Sequence, residues 1–373
     1  MTTPTGAQPS ERGPLTGMRV LEFGGIGPGP HCGMLLSDLG AEILRIDRTG
    51  GNGWPNPIMD RGRAMLEVNI RTDVGRHLCI EAAARVDVLI EGFRAGVMER
   101  LGLGPEPLLA RNPRLIYGRV TGWGQTGPLS QSAGHDINYI SLTGALAAMG
   151  QPDAPPTPPL NLVGDFGGGS LYLAFGIMAA LWERERSGRG QVVDAAIIDG
   201  VTSMMSMFSG LIPSGRIAVE RDKSLLGGAA PYYRCYVCAD GKFISVGPLE
   251  PEFYGELMTR IGAPTDLRHS ERRPENWVVQ CRQLAALFAT KTRAEWCALL
   301  EGTDACFAPV LSLEEAPHHP QMRARGAYTN HEGNLQPAPA PRFSRTPGHI
   351  GVASDGKTLL RSWGVDPESF PDP

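Results

Sequence analysis

Short apolar runs separated by helically spaced segments recur through the first half of the chain. Residues 18–23 (MRVLEF) form one run, the turn GGIGPGP follows at 24–30, a helical pattern continues to Gly40, and a second run, AEILRID, fills 41–47. This is the pattern of a β-loop-α-β unit. Further strands are expected at 86–91, 115–120 and 191–198, each near a helical pattern, so the sheet is expected to be largely parallel with crossover helices. Helices are expected at 137–149 and at 170–186, the latter opened by GDFGGGS and ended by SGRG. The apolar stretch 198–212 reads as a helix leading out of this domain.

From about Gly227 the pattern changes. Two alternating runs within 232–246 flank Ala239-Asp240-Gly241, a hairpin signal. Helical spacing follows at 251–261, 277–288 and 293–301, then a strand at 306–311. This is a separate α+β module. A proline-rich segment, PAPAPRFSRTPG at 337–348, precedes a last short helix at 357–363.

The chain has 373 residues, enough for two cores, and its 48 Gly and 32 Pro lie among apolar segments, as tight turns rather than low-complexity tracts. A formal charge of −4 supplies no global basic field for nucleic acid or an anionic membrane, so an anionic ligand must be held by local arginines. Seven scattered cysteines indicate a reducing compartment, and Cys235-x-x-Cys238 has no second pair to complete a zinc site. The opening MTTPTGAQPSERG has no apolar signal core, and the apolar run at 171–182 is short for a bilayer span. The expectation is a cytoplasmic protein with no metal.

A glycine turn after a strand invites a dinucleotide reading, with Asp47 about 20 residues on. The spacing is imperfect, because Pro30 or Cys32 stands where the third glycine belongs. A cofactor-free strand-to-helix turn accounts for it more simply.

Three other places carry chemistry: GHDINY at 134–139, after the loop TGWGQTGP; NLVGDFGGG at 161–169; and GPLEPEFY at 247–254. Taken singly, His135 reads as a cap or surface contact, Asp165 as an N-cap, and Glu250 as the residue before a helix-opening proline. Together with GIGPGPHCGMLLSDLGAEILRIDR, LIEGFRAGVMERLGLGP and LGGAAPYY, these motifs resemble the α-methylacyl-CoA racemase branch of the class III CoA-transferase family, over residues 17–345.

The resemblance implies an α/β fold: a Rossmann-like large domain with a parallel sheet, a smaller α+β domain, and an interlocked homodimer with shared active sites. The implied divisions are 14–200 for the first part of the large domain, 201–226 for a linker helix, 227–315 for the small domain, and 316–373 for the return to the large one. It also implies inversion of the carbon next to a CoA thioester, with His135 and Asp165 as the two bases and Glu250 orienting His135. Such chemistry needs a proton acceptor on each face and stabilisation of the enolate between them. Histidine titrates near neutrality, and burial would strengthen an aspartate as a base. Backbone N–H groups near Asp165 are expected to help hold the enolate oxygen.

For CoA the resemblance points to Arg48, to Met65, Leu66, Glu67 and Val68, to Arg94 and Arg100, and to the backbone of Gly134, Asp136, Ile137, Asn138 and Tyr139. No cofactor is implied beyond the CoA of the acyl-CoA substrate. One departure stands out: family members usually read RGK and another basic residue, whereas this chain reads RGRAMLEV at 61–68. The Met204-Met205-Ser206-Met207-Phe208 stripe suits either core or an adaptable acyl surface. The alternative within the family is a CoA-transferase using Asp165 as nucleophile; from another class, the chain would be a catalytically idle scaffold.

Overall fold

The computed structural model describes residues 13–51 and 53–370, so the reading of residues 1–12 lies outside it. The chain divides into two compact units. One comprises Met1–Thr143, Leu160–Met204 and Gly326–Pro373; the other comprises Gly144–Pro159 and Met205–Arg325. The sequence pattern, by contrast, places 144–159 in the large domain and ends the small one at 315.

The first unit is built on six strands: β1 (Arg19–Phe23), β2 (Glu42–Asp47), β3 (Ala64–Glu67), β4 (Val88–Glu91), β5 (Ile116–Thr121) and β6 (Gln191–Ala196). They run parallel in the order β3-β2-β1-β4-β5-β6. Helix α1 (Pro28–Asp38) links β1 to β2, and α2 (Asp73–Ala83) links β3 to β4. Successive strand residues feed opposite layers. Leu21, Leu44, Leu89 and Tyr117 pack with Leu78, Leu103, Leu108 and Leu360 on one face. Val20, Ile43, Val88 and Ile116 pack with Leu36, Leu173 and Ile177 on the other. Burial on both faces explains why these strands read as continuous apolar runs.

Between β4 and β5 lie α3 (Val97–Arg100) and α4 (Pro105–Arg111). After β5 comes α5 (Asp136–Leu142), which stops seven residues short of the expected 149, before Gly144 at φ +81°. Next is a ten-residue π-helix, Leu162–Leu171, continuing as α6 (Tyr172–Ser187). The combined helix Leu162–Ser187 is long and apolar enough to cross a membrane by length and composition alone, because the π-helical part extends the run the sequence suggested. In this fold α6 packs against β5 and β6. Helix α7 (Ile197–Met204) follows β6 and packs on the π-helix.

The second unit holds α8 (Ser206–Leu211), β7 (Arg234–Val237), β8 (Phe243–Val246), α9 (Pro251–Arg260), α10 (Thr265–Arg268), α11 (Trp277–Phe288), α12 (Arg293–Leu300), β9 (Phe307–Val310) and α13 (Pro320–Ala324). Its sheet is antiparallel, in the order β7-β8-β9. Tyr236, Ile244, Leu257, Trp277, Leu284, Phe288 and Trp296 form its core. The chain then returns to the first unit with the hairpin β10 (Tyr328–His331) and β11 (Asn334–Pro337), and with α14 (Gly356–Ser362), which packs on β2 and β3.

Candidate active site

The strand order reverses between β1 and β4, and in open parallel sheets the crevice beyond the carboxyl ends at such a point is the ligand site. A pocket of about 330 Å3 lies there. Its walls include Gly27 and Pro28 after β1, Phe93 and Arg94 after β4, Gly122 and Trp123 after β5, and also Gly134, His135, Tyr139 and Asp165. A larger hollow of about 650 Å3 in the second unit, lined by Tyr233, Arg234 and Phe307, holds neither His135 nor Asp165.

His135 caps α5 in an extended conformation. Its N–H donates to Asn138 Oδ1 at 3.0 Å, and its carbonyl accepts from the N–H groups of Asn138 and Tyr139. The Tyr139 hydroxyl donates to the Gly134 carbonyl, and its ring meets Trp123 edge-on at 4.8 Å. The backbone of the turn is thus braced, and His135 is exposed at its start.

Asp165 sits within the π-helix. Asn161 occupies the N-cap, which corrects the reading of Asp165 as a cap and leaves its carboxylate on the pocket wall. Burial first, then the charge of Asp136, pushes Asp165 up to about 6, against weaker opposing contributions from Asn161 and His135. Gly27, which caps α1 at φ +71°, lies so close that a Cβ there would stand 3.0 Å from Asp165 Oδ2. A helix N-terminus normally favours an ionised carboxylate through its N–H groups, but Pro28 and Pro30 remove two of the first three donors.

The expectation that backbone N–H groups around Asp165 hold an enolate oxygen meets a correction. The Asp165 N–H donates to Asp136 Oδ2 at 2.6 Å, and the Phe166 N–H to the Asn161 carbonyl at 3.2 Å. Both donors are already engaged. Phe166 stacks on His31 at 4.3 Å; His31 shares a hydrogen bond with Ser170 Oγ at 2.8 Å, and burial brings its pKa down to about 4. His31 therefore stays neutral at physiological pH, a supporting role the sequence did not signal.

Glu250 belongs to the second unit, as the exposed N-cap of α9. Arg272 steadies its loop, donating to the Leu249 carbonyl at 2.9 Å while lying over the rings of Tyr232 and Tyr254.

The CoA candidates fall in two groups. Arg94 lines the pocket, and Arg100 is exposed on neighbouring α3. Arg48 and Met65, Leu66, Glu67 and Val68 adjoin at the carboxyl ends of β2 and β3, where the Val68 N–H donates to the Asp47 carbonyl. Arg48 is exposed, with its Nε donating to the Gly51 carbonyl at 2.7 Å. Ile137 and Asn138 are exposed on α5, whereas the Asp136 side chain is buried.

The preceding arginines do other work. Arg63 is buried against Glu22 at 2.6 Å, and Arg61 against Asp38 at 2.5 Å. Asp47 is likewise buried against Arg45 at 2.9 Å, so it is not free to meet a ribose. The methionine stripe is not core: Met204 and Met207 are exposed, and Met204 lies beside Gly167, two residues from Asp165.

A parallel α/β unit with an unlike pair of acid-base side chains at its switch point defines the class of protein. The chain belongs to CoA-transferase family III, whose profile matches residues 15–354. It is 45% identical to α-methylacyl-CoA racemase of Mus musculus, over 95% of each chain. It is 41% identical to the α-methylacyl-CoA racemase of Homo sapiens, over 89% of this chain and 87% of that one. Among solved structures, a CaiB/BaiF family protein from Brucella suis superposes with a TM-score of 0.79 at 26% identity, covering 94% of this chain and all of that one.

Proposed function

We propose that the protein interconverts (2R)- and (2S)-2-methylacyl-CoA thioesters by 1,1-proton transfer through an enolate. The observation that carries this reading is the pair His135 and Asp165 on the walls of one pocket. A carboxylate pushed up to about 6, set with an imidazole on the same pocket, is matched to removing a proton from one face and returning it to the other. The racemase relatives at 45% and 41% identity support the same activity.

In this mechanism one base removes the C2 proton, the thioester oxygen gathers the enolate charge, and the other base, protonated, delivers its proton to the opposite face. The roles exchange for the reverse reaction. Glu250 of the partner subunit orients the His135 ring, in a homodimer with shared sites. Arg48, Arg94 and Arg100 meet the phosphates of CoA, since guanidinium groups fork onto phosphate oxygens. Side chains carry every proton, so no group beyond the CoA of the substrate is needed.

The test starts from one enantiomer of a 2-methylacyl-CoA in deuterated water, followed by NMR at C2. Deuterium is expected to enter as optical purity falls. CoA passing to an added acid without exchange would instead identify a transferase using Asp165 as nucleophile. His135→Ala is expected to lose exchange about 10²- to 10⁴-fold, first from one enantiomer; undiminished activity on both would end the assignment.

A further inference from the structure

The side chain of Asp136 is spoken for by neither the binding nor the proton transfer just described. It is 8% exposed, directly follows His135, and turns inward. Its Oδ2 accepts the Asp165 N–H at 2.6 Å, joining the first turn of α5 to the π-helix across 29 residues of chain. The fit is close: a Cβ on Gly164 would stand 2.2 Å from the same oxygen. Its Oδ1 is buried with no hydrogen-bond partner among the described residues. A carboxylate kept half-satisfied in a buried position is costly and calls for a reason.

We propose that Asp136 is the positioning residue of the site, tying the backbone of Asp165 to the turn that carries His135 and setting a second negative charge beside the Asp165 carboxylate. The inference rests on the racemase reading. One tether fixes the spacing of the two bases, because the residue next to one is bonded to the backbone of the other. Burial pushes the Asp136 carboxyl up, and the backbone donors at 164 and 165 oppose this by favouring its ionised form, while Asp165 receives only a long contact of 3.5 Å from Asn161. Repulsion between like charges then helps Asp165 hold its proton. The other groups facing Asp165 are the imidazole of His135, the hydroxyl of Tyr139 and the guanidinium of Arg94, and neutral His31 lies behind Phe166.

The experiment compares wild type with Asp136→Asn, which keeps the shape and an acceptor oxygen but loses the charge. C2 exchange is measured against pH from each enantiomer. For the enantiomer deprotonated by Asp165, the acidic limb of kcat is expected to move down by roughly half a pH unit or more, with KM nearly unchanged. Absence of exchange in the wild-type protein would remove the racemase reading itself. Exchange in wild type with an unmoved limb in Asp136→Asn would overturn the role of Asp136 alone. A second measurement does not require that variant to fold. In Asp165→Asn, carboxyl ¹³C NMR is expected to show Asp136 titrating at lower pH than in wild type, and an unchanged titration would overturn the proposal.

Discussion

Asp165 is a strong base for an aspartate because burial and a neighbouring carboxylate both penalise its charge, while the helix end it faces is depleted of N–H donors by Pro28 and Pro30. Two predictions belong at this scale. Each direction needs one base free and the other protonated, so kcat/KM from either enantiomer is expected to rise and fall with pH, with one limb set by Asp165 near pH 6. The two profiles are expected to run in parallel, because the equilibrium between the stereoisomers does not vary with pH, and a rate that stays level through pH 6 would contradict the assignment. The same group also acts on stability. Its folded pKa of about 6 exceeds the unfolded value near 4, so the folded state holds the extra proton and stability falls as pH rises through that window. Asp165→Asn removes the buried charge and is expected to raise Tm at pH 7 by about a degree or two, with the gain vanishing near pH 4. Scanning calorimetry at both pH values reads this.

The π-helix depends on close backbone approach to α7, where a Cβ on Gly200 would stand 2.0 Å from the Gly168 carbonyl oxygen. Gly200→Ala is expected to cost about 1–3 kcal/mol or more and to lower Tm, because backbone has no rotamer with which to retreat. Gly255→Ala on α9, where a Cβ meets open space, is expected to stabilise by about 0.5–1 kcal/mol. A loss of similar size at both positions would count against the close-approach account. Strands β1, β2, β4 and β5 were legible because both their faces are buried, and the hairpin of β7 and β8 because Asp240-Gly241 marks its turn, whereas β3, with Met65 and Glu67 exposed, carries no apolar run and was not expected. The hairpin of β10 and β11 was missed, since YTNH and NLQP lack apolar alternation and only the left-handed pair Glu332-Gly333 betrays the turn. The π-helix was equally hidden, because apolar spacing cannot distinguish its register over a glycine-rich stretch. His135, Asp165 and Glu250 became legible as a set only through family resemblance. Asp136 escaped as a positioning residue because its partner is backbone 29 residues away, which no residue pattern encodes.

At the scale of the whole molecule, the helix that carries Asp165 presents Leu171, Phe175 and Trp182 to solvent, with Phe175 73% and Trp182 71% exposed. Contiguous apolar surface of this kind marks an interaction face. We propose a second copy of the chain as the occupant, since the same homodimer would supply Glu250, which belongs to a different unit from His135 and Asp165. If each site takes Glu250 from the partner subunit, defects in the two residues must complement. A heterodimer of one His135→Ala chain and one Glu250→Gln chain has one site with both substitutions and one with neither. Purified through two different tags, it is expected to recover about half of wild-type racemisation, whereas either homodimer remains deficient at both sites. Were each site drawn from a single chain, both sites of the heterodimer would carry one defect and no recovery would be seen. The two arrangements therefore predict opposite outcomes from the same preparation, with the unmixed variants as the baseline.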